Sequence, residues 1–224
     1  GPDGVLYGCD PTEGIVAATL AGHFVRLFIR TERGVVFHDD PFHPFILLES
    51  EDLLRGFARR VTLKGLSGDG TFRFIAGFRD WMDCVAARDY LVRRSGRTPT
   101  AGDAPYLFLS DPIHQHLLGT GKTFFKGLDF PSLRRMALDI ETDCRPGFEF
   151  SNPNREEDRI ISLAVKDTAG REEVLSGAAM SESAMLERLG EIMRAWDPDV
   201  VEGHNIFRFD LEYIRVRAAR LGIR

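Results

Sequence analysis

Between Met136 and Thr142 apolar and polar residues alternate with a period of two. Met136, Leu138 and Ile140 fall on one side, and Ala137, Asp139 and Glu141 on the other. Successive strand side chains point to opposite faces, so this segment is predicted to be a strand with one core face and one carboxylate face. Residues 159–166 and 172–176 read as two further strands, and Val200-Val201 as a short fourth. Met185, Leu189, Ile192, Met193 and Trp196 recur at helical spacing over 181–196, and Asp197-Pro198 stops that helix. A last helix is predicted over 209–221, with Leu211, Ile214, Ala218 and Leu221 inward and Gly222 closing it. The resulting order is β-β-β-α-β-α.

The first half has a different rhythm. Phe24–Arg30 and Val35–His38 are β-prone runs around a turn at 31–34, and Ile46–Leu48 is a short strand entered through Pro41 and Pro44. Glu51–Arg60 suits a short helix capped by Ser50. Val61–Leu66 and Thr71–Phe78 flank the turn Ser67-Gly68-Asp69-Gly70, and Asp80–Arg94 reads as a helix. The expectation is a small α+β domain over 1–105, a bridging segment over 106–132, and a second domain from 133 to 224. In the bridge, His114 and His116 lack a carboxylate or cysteine at ligand spacing beyond Asp111, and read as turn or surface residues.

Composition narrows the class. With 43% hydrophobic and 28% charged residues, the mixture is that of a globular protein, and no apolar run is long enough to cross a bilayer. Three widely spaced cysteines, Cys9, Cys84 and Cys144, suit reduced thiols in a cytoplasmic protein rather than a disulfide framework or zinc knuckle, and a monomer is expected. Gly1-Pro2 reads as a remnant of protease cleavage. The net charge of −5 does not itself suggest a nucleic-acid partner. Locally, however, Arg55, Arg59, Arg60 and Lys64 cluster without an acid, and arginines including Arg208 outnumber acids after residue 201. Either stretch suits phosphate contact or a solvated face equally well.

The acids carry the chemistry. Asp139 and Glu141, two residues apart on one strand face, lie ~7 Å apart and repel unless a cation or a proton intervenes. Asp210 follows the short fourth strand, and a β-α-β crossover returns it towards the first strand. Carboxylates around two divalent ions lower the pKa of a water and stabilise charge on a phosphoryl group. Hard oxygen ligands favour Mg²⁺ or Mn²⁺.

At these residues the sequence resembles family B DNA polymerases. Met136-Ala137-Leu138-Asp139-Ile140-Glu141-Thr142 is similar to their first exonuclease motif, and Asp197–Asp210, containing Gly203-His204-Asn205-Ile206-Phe207-Arg208-Phe209-Asp210, is similar to their second. Gly127–Ser132 and Asp40–Phe45 resemble further pieces of the same proteins. The resemblance implies a small N-terminal α+β domain followed by a truncated ribonuclease-H-like 3′→5′ exonuclease domain. Asp139 and Glu141 would bind the metals, Asp139 bridging them, and Asp210 would complete the second ion's shell. Asn205, Phe209 and Arg208 would contact the 3′-terminal nucleotide of single-stranded or primer-template DNA. Core packing by Phe209 and a structural loop role for Asn205 stand beside that reading.

The family pattern also includes a third motif, with a water-orienting tyrosine or histidine and a fourth carboxylate, which these residues do not contain. Tyr213 lies too close to Asp210 to replace it. The expectation is therefore a metal site that is incompletely formed, weak or absent hydrolysis in this chain, and a C-terminal exonuclease and polymerase region of the same protein as its partner. The alternative is a non-catalytic module that binds nucleic acid or a partner on a nuclease-like scaffold.

Overall fold

Three antiparallel strands, β1 (Ile15–Ala21), β2 (Phe24–Thr31) and β3 (Gly34–Pro41), open the computed structural model, which describes residues 9–223. Gly1-Pro2 lies outside the described residues. Ile15, Val25 and Leu27 turn inward from this sheet onto Phe42. A second sheet has the order β5-β6-β4-β7, from β4 (Phe45–Leu48), β5 (Thr62–Gly65), β6 (Phe74–Gly77) and β7 (Tyr106–Leu107). Helix α1 (Trp81–Ser95) covers it through Cys84, Ala87 and Leu91. Asp80 caps α1 by accepting from the Asp83 amide at 2.8 Å, and Gly96 closes it in the left-handed conformation.

The helix predicted over 51–60 is not formed. Only a 3₁₀ turn, Glu51–Leu54, is present, with the Ser50 hydroxyl accepting from the Asp52 amide. The Arg55 carbonyl instead accepts from the Tyr90 hydroxyl at 2.6 Å and from the Arg94 guanidinium at 3.0 Å. Gly56 then takes φ +85°, a conformation that ends the turn. Bonds to α1 have replaced the ladder a helix would need.

The chain divides into two units, Gly1–Gly127 and Leu128–Arg224. Residues 106–127, read from sequence as a bridge, are built into the first unit. β7 pairs with β4, and helix α2 (Pro112–Thr120) follows, capped by Asp111. Gln115 is buried, accepting from the Phe45 amide and donating to the Leu109 carbonyl, both at 2.9 Å. His114 is exposed, but His116 is buried against Asp40 at 3.1 Å, so it is not a surface residue. Lys122 reaches the same Asp40 carboxylate at 3.2 Å, and His38 its other oxygen at 3.0 Å.

The second unit holds β8 (Arg135–Thr142), β9 (Ile160–Asp167), β10 (Glu172–Ser176), α3 (Glu182–Trp196), β11 (Val200–Glu202) and α4 (Asp210–Arg220). Its sheet order is β10-β9-β8-β11, with β11 parallel to β8 and the other pairs antiparallel. The predicted β-β-β-α-β-α order is thus present, in an open α/β sheet consistent with a ribonuclease-H-like fold. One sheet face is closed: Met136, Leu138, Ile140, Leu163 and Val165 pack on Met185, Leu189 and Ile192 of α3 and on Tyr213 of α4. Ser181 caps α3, accepting from the Ala184 amide at 3.2 Å. Among the described residues no helix is long and apolar enough to cross a membrane.

Candidate active site

The pleat of β8 determines where its acids point. With Met136, Leu138 and Ile140 buried, Asp139 and Glu141 stand exposed on the opposite face. Asp139 lies opposite Ala164 and Glu141 opposite Ser162 on β9. Because Ala137 and Ala164 are short, the face retains a shallow hollow of about 290 Å³ beside Asp139. Lys166 and Glu172, paired at 2.9 Å, line it on one side and Gly203-His204 on another.

The third acid arrives by a different route. β11 pairs with β8 only from Arg135 to Ala137, so its partner's edge is open beyond that point. The chain leaves β11 through Gly203, where a Cβ would lie 2.5 Å from the Leu138 carbonyl oxygen. Only glycine lets the backbone pass so close without displacement. Asn205 follows at φ +56°, and its carbonyl accepts from the Arg208 and Phe209 amides, each at 3.0 Å. This tight turn delivers Asp210, buried at the start of α4, whose Oδ1 accepts from the Ile140 amide at 3.1 Å. That amide belongs to the peptide joining Asp139 to Ile140, so Asp210 is tied to the acidic strand beside Asp139. Its Oδ2 makes no hydrogen bond among the described residues.

The turn sorts its side chains. Ile206 is buried, Phe209 is half-buried with its ring 5.3 Å from Tyr213, and His204, Asn205, Phe207 and Arg208 are exposed. Phe209 therefore packs on the core, while Phe207, which the sequence reading did not single out, is 82% exposed. In the first unit, Arg59 is paired with Asp83 at 2.7 Å and Arg55 with Asp52, whereas Arg60 is exposed.

Helix α4 corrects a second expectation. Leu211 and Leu221, predicted inward, are 37% and 41% exposed. Asp210, Tyr213 and Arg217, spaced i, i+3 and i+7, are the buried face, because each has a polar partner inside. The Tyr213 hydroxyl donates to the Asp158 carbonyl at 2.8 Å. The Arg217 guanidinium donates to both Glu182 oxygens, at 2.7 and 2.5 Å, and to the Arg155 carbonyl at 2.7 Å. Glu182 also accepts from the Ile160 amide at 2.9 Å. Together these contacts anchor the loop 143–158, which leaves β8 just after Glu141. Asp158 fastens the same loop from within, accepting from the Arg145 and Asn152 amides at 2.8 and 2.7 Å. Desolvation pushes its carboxyl up, but those two amides and Arg155 outweigh it and hold the group below its ordinary value.

In chemical type, the three carboxylates suit a hard divalent cation such as Mg²⁺ or Mn²⁺. As placed, they do not form a ligand set: among the described residues no group of three or more His, Cys, Asp or Glu is arranged to hold a metal. Asp139 and Glu141 share the open face, whereas one oxygen of Asp210 is committed to the backbone.

Residues 166–224 match the family described as DNA polymerase family B, exonuclease domain. That span contains Asp210 and the turn before it, while Asp139 and Glu141 precede it. The chain is 31% identical over 96 residues to a DNA polymerase of Archaeoglobus fulgidus, covering 43% of this chain and 11% of that protein. It is 32% identical over 92 residues to DNA polymerase 2 of Aeropyrum pernix, covering 41% of this chain and 11% of that one. This chain is related to the family B DNA polymerases. It spans only a small part of these polymerase relatives. The structure of the family B DNA polymerase from the hyperthermophilic archaeon Pyrobaculum calidifontis superimposes with a TM-score of 0.62, covering 92% of this chain and 32% of that one. At 21% identity, that likeness concerns the fold.

Proposed function

We propose that this chain is the N-terminal and leading exonuclease region of a family-B-type DNA polymerase or polymerase-like protein. In the complete protein the site would hydrolyse DNA phosphodiesters from the 3′ end with two divalent metals. The observation that carries this reading is the bond from the Ile140 amide to Asp210, which brings the acid of the family-matched segment to the strand bearing Asp139 and Glu141. Asp139 and Glu141 would be the first ligands to Mg²⁺ or Mn²⁺, with the second Asp210 oxygen available to the same ions. The ions would supply an activated water and stabilise charge on the phosphoryl group. Single-stranded or primer-template DNA is the substrate on this reading, with Asn205 and Arg208 at the exposed turn placed to meet it.

The test measures Mn²⁺ binding by this chain and degradation of a 3′-labelled single strand by a version extended towards the length of the relatives. Asp139→Ala is expected to weaken the first and abolish the second. Among the described residues the three carboxylates are not arranged as a ligand set, which is also consistent with a second reading, a nucleic-acid-binding scaffold without catalysis. Strand binding by an extended protein that neither binds Mn²⁺ nor hydrolyses DNA would select it.

A further inference from the structure

We propose that Phe207 is a stacking platform for a base of single-stranded nucleic acid held at the acidic strand. This rests on the nuclease reading for the location of the strand and adds a residue that the reading does not supply. At 82% exposure, Phe207 is the most exposed large apolar side chain among the described residues. Leaving a phenyl ring in water forgoes roughly 1.5–3 kcal/mol of burial, so its presentation calls for a partner.

The ring is presented by a rigid support. Asn205 at φ +56° closes the turn through its carbonyl, and the Leu211 amide donates to the Ile206 carbonyl at 2.9 Å, bracketing Phe207 on both sides. Ile206, its neighbour, is buried in the core, and Asp210 fixes the far end to the Ile140 amide. A platform ordered in advance loses little entropy when a ligand arrives. The turn also leaves from the same end of the sheet as the loop after Glu141, since β11 runs parallel to β8.

The chemistry around the ring selects the ligand. Arg208 is exposed and has no ion-pair partner among the described residues, and His204 is exposed on the rim of the hollow beside Asp139. An aromatic face next to an uncommitted guanidinium suits a base next to a phosphate, the pairing by which single strands are held without sequence preference. An apolar protein segment would use the ring but leave Arg208 unmatched.

The experiment places the chain in an Asp139→Asn/Glu141→Gln background with chelator, so that neither metal nor the charge of the two strand carboxylates affects the result. The probe is a short single-stranded oligonucleotide with 2-aminopurine at its 3′ end. The background protein is expected to bind and quench the probe. Adding Phe207→Ala is expected to lower affinity at least about five-fold and relieve quenching, whereas Phe207→Tyr retains both. Equal affinity with alanine, or no binding by the background protein, overturns the proposal. The metal reading is judged separately by titrating Mn²⁺ into the chain with native carboxylates, where Phe207→Ala should change nothing.

Discussion

Replacing Arg217 by methionine should cost about 3–5 kcal/mol, which is the loss expected when one member of a buried ion pair is removed. Arg217 and Glu182 are 3% and 9% exposed. The guanidinium supplies two of the three hydrogen bonds seen at the Glu182 carboxylate, leaving only that from the Ile160 amide. The guanidinium also serves the Pro153, Arg155 and Glu156 carbonyls of the loop, and the same substitution removes those bonds. Against a typical stability of ~5–15 kcal/mol, the loss is a large fraction of the whole. In a unit of roughly one hundred residues it lowers Tm by at least ~12 °C. Chemical denaturation followed by circular dichroism, with hydrogen exchange localising the loss to the second unit, measures it. Adding Glu182→Gln keeps an acceptor for the Ile160 amide but removes the stranded charge, and should recover most of the loss. A single substitution costing under ~1 kcal/mol, or a double variant as damaged as the single, would refute the charge argument.

Gly203→Ala drives a Cβ into the Leu138 carbonyl and should cost about 1–3 kcal/mol while weakening protection of the Ile140 amide; Gly102→Ala, which meets nothing within 4 Å, is the neutral control. Stability of the first unit should fall as pH drops below ~6.5. Burial depresses the His116 pKa despite the bond to Asp40, so the unfolded chain takes up the proton first and the native state loses ground through that window. His116→Gln, measured by unfolding from pH 7.5 to 5, should flatten the slope; a slope unchanged by it would refute the assignment to His116.

The elements legible in the sequence are those whose pattern is local. The alternation in β8, the helical spacing of α3 between Ser181 and Asp197, and the turn before β3 follow from neighbouring residues alone. β1 is less legible because three alanines interrupt the β-branched Ile15, Val16 and Thr19 and blur the alternation; pairing with β2 makes it a strand. The 51–60 segment has a helical pattern, but the carbonyl it needed is taken by α1. On α4, Ile214 and Ala218 pack on the core as their spacing predicts, but Leu211 and Leu221 do not, because Asp210, Tyr213 and Arg217 at i, i+3 and i+7 take the buried face. Their partners lie 70, 55 and 35 residues away, distances at which periodicity carries no information. In the candidate site, the facing of Asp139 and Glu141 and the core packing of Phe209 were legible, while the exposure of Phe207 was not, since residue type alone does not separate two phenylalanines in one turn.

The bond between Asp210 and the Ile140 amide gives the molecule a built-in gauge. A single nitrogen resonance in the middle of a strand reports on a carboxylate at the start of a helix. Any ion that draws on Asp210 must repolarise that amide, so its chemical shift registers occupancy without a label, a substrate or turnover. A variant in which the acidic face fills while this resonance stays still would have a cation that Asp210 does not share.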